Sequence, residues 1–258
     1  MASTYAYGED FGELQTEIQS IWDTNSELDL VDIEYINDET WVAVFEDNLR
    51  GSAYTINSDY GLFQEQVQKR WDQGYDIVDL EHIDNSWVAV FKEDSLLSGG
   101  SAYSFSPDIA SLKADIQEKW DQNDDLVNVE YADGNWVGIY GDDIGGSGYT
   151  TSDSLLNFKA DVEKFSNDGY DLVGVEYAEG TFFGVFAEDF DNYTTYSVSS
   201  DTDEFLAKFE QHRSQGYDLI DFEQRDDNLF IGVYEHSNSA LSELEGALFD
   251  LTFVSALI

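Results

Sequence analysis

Trp71-Asp72-Gln73-Gly74-Tyr75-Asp76-Ile77, followed shortly by Trp87-Val88-Ala89-Val90-Phe91, is the stretch on which the fold turns. It directly follows Phe63-Gln64-Glu65-Gln66-Val67-Gln68-Lys69-Arg70. One unit later stands a near copy, Leu112-Lys113-Ala114-Asp115-Ile116-Gln117-Glu118-Lys119-Trp120-Asp121-Gln122. Aligning all copies puts Leu14, Phe63, Leu112, Phe158 and Phe205 at one equivalent position, with spacings of 49, 49, 46 and 47 residues. A period in that range means stacked supersecondary units. Five copies fill residues 1–238 as a single domain, at about 1–50, 51–99, 100–146, 147–192 and 193–238.

Each copy carries an amphipathic helix signal. Ile18, Val67, Ile116, Val162 and Phe209 lie four residues after the aligned position, which gives an apolar stripe. Ser58-Asp59, Asp108, Asp153 and Asp201 are candidate N-caps, and Gly74, Asn123, Gly169 and Gly216 supply left-handed exits. Two extra residues around Asn25-Ser26 predict a different exit for the first helix.

The strand after each helix alternates, with Val31/Ile33, Val78/Leu80, Val127/Val129, Val173/Val175 and Ile220/Phe222 on one face. Short turns such as Asp133-Gly134 and Glu179-Gly180 lead into a second strand. Its Val42/Val44, Val88/Val90, Val137/Ile139, Phe183/Val185 and Ile231/Val233 are expected to face the helix, with Trp41, Ala43 and Phe45 and their equivalents on the reverse. Short strands around Tyr5, Tyr54, Tyr103, Tyr149 and Tyr196 open the units and are expected to pair with the hairpin of the unit before. The expectation is an α+β fold of five tandem β-α-β-β repeats, each sheet wrapped over one helix, forming a closed ring or a curved array. Closure removes edge strands and favours the ring.

Composition narrows the function. The chain has 258 residues, 42% hydrophobic and 15% aromatic, enough for a packed core. Fifty-five acidic residues against 11 basic ones give a net charge of −44. That field repels nucleic acid and anionic membrane surfaces and attracts cations or basic proteins. It also suits a solvated surface or a salt-rich habitat. Eight of the basic residues fall in the helices, which leaves sheets and loops almost purely anionic. There is no cysteine, no signal-peptide pattern at the start and no apolar run long enough to span a bilayer.

No nucleotide-loop, nucleophile-elbow or zinc-protease motif occurs, and His82, His212 and His236 lie in separate contexts. Asp121-Gln122-Asn123-Asp124-Asp125 begins like a calcium loop but lacks its glycine and final glutamate. Gly145-Gly146-Ser147-Gly148 reads as a hairpin loop. The one constellation repeated in all units is a glutamate near an aromatic residue. It comprises Glu34, Glu81, Glu130, Glu176 and Glu223 with Trp41, Trp87, Trp136, Phe182 and Phe230. A flat ring beside a carboxylate suits a sugar, and recurring carboxylates suit Ca2+. Recurrence equally suits a structural core layer, and that reading carries more weight.

The Trp71-x-x-Gly74-Tyr75 motif with its trailing Trp87-to-Phe91 strand resembles tandem repeats found beside the catalytic domain of some plant casein-kinase-I-like kinases. It also resembles repeats in the N-terminal part of fungal polyglycine hydrolases. The resemblance covers the five units and implies a half-barrel-over-helix unit with an accessory role. Ser166 and Arg213 replace the tryptophan in units four and five, and Asn123-Asp124 replaces Gly-Tyr in unit three.

Residues 239–258 leave the repeat and end in an apolar segment, read as a cap or as an export signal. The expected function is a non-enzymatic, multivalent binding or scaffold module for glycans, cations or basic protein surfaces. The alternatives are a hydrolase using the acidic sheet face and an acidic mimic. The expected location is extracellular by a signal-independent route, with the cytoplasm as alternative.

Overall fold

A computed structural model describes residues 4–36, 40–47, 51–83, 85–93, 101–142, 146–188, 194–225 and 227–236. The tail at 239–258 and part of the loop at Gly145 lie outside the described residues. Unit one contains β1 (Thr4–Gly8), α1 (Phe11–Thr24), β2 (Leu28–Ile36) and β3 (Thr40–Asp47). Unit two contains β4 (Ser52–Asn57), α2 (Tyr60–Trp71), β5 (Tyr75–Ile83) and β6 (Ser86–Glu93). Unit three contains β7 (Ser101–Ser106), α3 (Ile109–Trp120), β8 (Asp124–Ala132) and β9 (Asn135–Asp142). Unit four contains β10 (Ser147–Ser152), α4 (Leu155–Asn167), β11 (Tyr170–Ala178) and β12 (Thr181–Glu188). Unit five contains β13 (Thr194–Ser199), α5 (Thr202–Ser214), β14 (Tyr217–Arg225) and β15 (Leu229–His236).

The helices start where a side chain can accept an orphan backbone N–H. Asp10, Asp59, Asp108, Ser154 and Asp201 each accept from the residue three positions on. In unit four the cap is Ser154, and Asp153 instead accepts from Asn157 Nδ2 at 3.0 Å. Gly74, at φ +84°, and Asn123, at φ +68°, take the left-handed exit that the sequence requires of them. The first helix leaves through extended Asn25.

Strand pairing corrects one expectation. Each unit forms its own three-stranded antiparallel sheet, in which the third strand lies between the first and the second. Thus β1 pairs with β3 and β4 with β6, and among the described residues no strand is shared between units. What neighbours share is core.

The faces are also reversed from the expectation. Trp41, Ala43 and Phe45 pack with Leu14 and Ile18 on the helix side, and the same cluster takes Ile83, Val88 and Val90 from the back of the next sheet. The pattern repeats around the molecule. The last core, built on Phe205 and Phe209, is completed by Val31, Ile36 and Val44 of the first unit. Each helix is therefore enclosed between its own sheet and the next one, and the five units close into a ring. Phe222 N–H donates to Asp32 Oδ2 at 3.3 Å across the join between the last and first units.

Small contacts lock the units together. Trp71 Nε1–H and Ile77 N–H both donate to Ser101 Oγ of the next unit, at 2.8 and 2.9 Å. Trp120 and Leu126 do the same to Ser147, both at 2.8 Å. In units four and five the slot is filled one residue earlier than the alignment placed it. Phe165 stacks on Phe186 at 4.1 Å and His212 on Tyr234 at 4.2 Å, where Trp22 meets Phe45 at 6.4 Å. Arg70 Nη2 and Lys208 Nζ donate to the outer edge-strand carbonyls of Tyr54 and Val198. Cations on an edge discourage pairing with another chain.

Candidate carboxylate site on the ring axis

The second strands β2, β5, β8, β11 and β14 form the inner edge of every sheet and pack in cyclic order around the axis. Each carries a β-bulge at the same place, between Leu30 and Asp32, Ile77 and Asp79, Leu126 and Asn128, Leu172 and Gly174, and Leu219 and Asp221. A bulge inserts one residue and resets the alternation. Leu30 and Ile33 therefore both reach the helix-side core. Asp32 and Glu34 share the opposite face, because they pair with Val44 and Val42. The strict alternation expected across Val31 and Ile33 is broken for that reason.

The bulge stacks two polar layers on the axis. One holds Asp32, Asp79, Asn128 and Asp221, with Gly174 in the fifth place. The other holds Glu34, Glu81, Glu130, Glu176 and Glu223. The carboxylates of Glu34, Glu81 and Glu130, from three different units, all approach within 4.8 Å of one another. Glu130 hydrogen-bonds to Glu81 and Glu176, and Glu176 to Glu223. Asn128 Nδ2 donates to Glu130 Oε1 at 2.7 Å.

The aspartates join the units. Asp79 Oδ2 accepts from Ile33 N–H at 3.2 Å and Asp221 Oδ2 from Val175 N–H at 2.8 Å, as Asp32 does from Phe222. They satisfy backbone donors on sheet edges that a neighbouring strand would otherwise fill. Between units three and four the link differs: a Cβ on Gly174 would lie 2.6 Å from Asn128 Oδ1, so the glycine leaves room for that amide.

Eight carboxyl groups crowd this axis, and among the described residues none forms an ion pair with a lysine or arginine. Loss of water raises all eight pKa values, because a charged carboxylate is poorly solvated there. Repulsion between neighbours adds to the rise and pushes Asp32, Glu34, Glu81, Glu130 and Glu223 well above the usual range. Hydrogen bonds restrain the other three, leaving Asp79 and Glu176 at about 7 and Asp221 at about 8. Carboxyl groups this close repel one another when all are charged, and a shared proton or a bound cation would relieve that repulsion.

The five glutamates that the sequence singled out are thus brought together, but not with their aromatic companions. Trp41, Trp87, Trp136, Phe182 and Phe230 are buried on the other face of the sheets. The expected cleft of glutamate beside aromatic residue does not form. Trp87 is enclosed by Tyr60, Phe63, His82 and Phe105. His82 is a helix-side substitution, its ring tilted against Trp87 at 4.5 Å. Asp121 caps a helix and Asp124 pairs with Lys119 at 2.8 Å, so the calcium-loop-like stretch serves the fold. Sequence reasoning passed over Asp32, Asp79 and Asp221. The signal was present: a position two residues before each recurring glutamate that reads Asp, Asp, Asn, Gly, Asp.

No family model matches the chain, and no curated protein matches it.

Proposed function

We propose that the protein is a non-enzymatic, ring-shaped binding module whose axial glutamates hold a hard cation, Ca2+ first. The observation that carries this reading is the 4.8 Å limit within which the ligand oxygens of Glu34, Glu81 and Glu130 all lie. Ca2+ binds oxygen at about 2.3–2.6 Å, so oxygens on opposite sides of one ion are up to about 5 Å apart. Mg2+, at about 2.0–2.1 Å, asks for a tighter cage. That none of the eight carboxyl groups is ion-paired with a lysine or arginine among the described residues adds support, since a cation would offset their mutual repulsion.

The multivalent part of the reading moves to the outside of the ring, where the anionic sheets and loops favour a basic protein surface. The glycan reading has lost its aromatic platform to the core. The accessory role implied by the W-x-x-G-Y resemblance agrees with a module that binds rather than reacts. Among the described residues no helix is long and apolar enough to cross a membrane. A weak calcium site would be filled outside cells, where such modules work at about 10⁻⁴–10⁻³ M, and we place the protein there.

Calorimetric titration of the full chain with CaCl2 and MgCl2 at matched ionic strength tests the reading. Saturable calcium binding that is absent in Glu130→Gln is expected. Equal, unsaturable responses to the two ions would leave only charge screening.

A further inference from the structure

Where unit one meets unit two, α1, β4 and α2 border an open groove of about 550 Å³. That lies within the about 300–1,000 Å³ of small-molecule sites. Its charged residues are Lys69 and Arg70, and no carboxylate lines it. In a chain with 55 acidic residues against 11 basic ones, this is a local reversal of charge. Two other grooves of similar size each carry two acids, Glu163 with Asp171 in one and Asp153 with Asp161 in the other. The difference is written into the repeat. Three residues after the aligned apolar position, units three and four place Asp115 and Asp161, which accept from Ser106 and Ser152 of their edge strands. Unit two places Gln66 there, which accepts from Thr55 and brings no charge.

The two cations have no acidic partner. Among the described residues neither forms an ion pair, whereas Lys92, Lys119, Lys208, Arg213 and Arg225 each hold a carboxylate. Arg70 lies over the Tyr75 ring at 5.7 Å. It uses two of its five N–H donors in long contacts, to Tyr54 O at 3.4 Å and Gln73 Oε1 at 3.5 Å. The remaining donors suit a planar carboxylate, which a guanidinium binds through two parallel hydrogen bonds. The rest of the wall is of two kinds. Trp22, Tyr54 and Tyr75 supply flat aromatic surface, against which the apolar face of a sugar ring packs. Gln15, Gln66 and Gln73 supply amides that both donate and accept, as hydroxyl groups require. A bare inorganic anion needs neither. We propose that this groove binds a sugar acid, its carboxylate on Arg70 and Lys69 and its ring among the aromatic residues and the glutamines. The site is separate from the axial carboxyl groups and does not depend on a cation there.

The test is calorimetry of the full chain with sodium glucuronate, in EDTA so that calcium–uronate complexes play no part. Glucose, acetate and inorganic phosphate at matched ionic strength are the comparisons. Saturable one-to-one binding of glucuronate, about tenfold or more tighter than any of the three, is expected. Absence of saturable glucuronate binding overturns the proposal, and so does equally tight binding of glucose or phosphate. Lys69 is exposed and has no hydrogen bond or ion pair among the described residues, so Lys69→Gln should melt as the parent chain does. It should weaken glucuronate binding by about tenfold, as loss of one charged hydrogen bond does. Lys164→Gln makes the same change of charge on an exposed position of α4 outside the groove and should leave binding unchanged. Undiminished binding in Lys69→Gln, or an equal loss in the two variants, overturns the proposal. The calcium titration of the parent chain is a separate measurement, so either assignment can fail alone.

Discussion

Trp87 is the residue at which packing and recognition compete, and packing holds it. With 7% of its surface exposed and four aromatic or imidazole neighbours, it is a core residue of unit two. Trp87→Ala should destabilise by about 3–5 kcal/mol, through lost burial and the cavity left behind. Urea unfolding checks this, and a loss below about 1 kcal/mol would return the aromatic residues to consideration as a ligand surface. Glu130→Gln should behave in the opposite way. It keeps the shape while removing one of the crowded charges, so without added cation the melting temperature should hold or rise. With Ca2+ the variant should gain less than the parent chain, which a pair of thermal scans would show.

At the scale of elements, the link between units is a serine rather than a strand. Ser101 Oγ accepts from both the Trp71 indole and the Ile77 backbone, at the bulge that aims β5 toward the axis. Ser101→Ala leaves two donors without an acceptor and should cost about 1–3 kcal/mol. Trp71→Phe in the same background should then cost little more, because the shared partner is already gone. A double-mutant cycle by urea unfolding measures that coupling, and strict additivity would show that the serine does not join the two.

For the whole molecule, the axial carboxyl groups set how stability depends on pH. Their folded-state pKa values lie above those of an unfolded chain, with Asp79 and Glu176 at about 7 and Asp221 at about 8. Between an unfolded carboxylate pKa of about 4 and these values, the folded state holds more protons. Stability without cation should therefore fall as pH rises from 5 to 8, opposite to the usual trend for ion-paired carboxylates. Calcium competes with those protons, so its stabilising effect should grow over the same interval. Melting temperatures at pH 5, 6.5 and 8, each with EDTA and with millimolar CaCl2 at fixed ionic strength, decide the matter. A calcium effect that does not change with pH would separate the ion from the buried carboxylates.

The sequence by itself determined the count of units, the order of helix and strands in each, and the caps Asp59, Asp108 and Asp201, because these depend on period and on contacts a few residues apart. Leu14 and Ile18 mark a helix face wherever the helix goes, and Asp59 can cap α2 with no help from the rest of the chain. Tertiary structure alone decided which strands pair, which sheet face meets the helix and what stands on the axis. A strand with apolar residues on both faces, as β3 has in Trp41-Val42-Ala43-Val44-Phe45, fits either orientation until the neighbouring units are in place. The one-residue bulge reverses half of each second strand without leaving a distinctive residue at the site. The axial carboxyl cluster exists only because the fifth unit meets the first. Five glutamates more than 40 residues apart in the chain become one site when Phe222 closes on Asp32, and no local pattern encodes that distance.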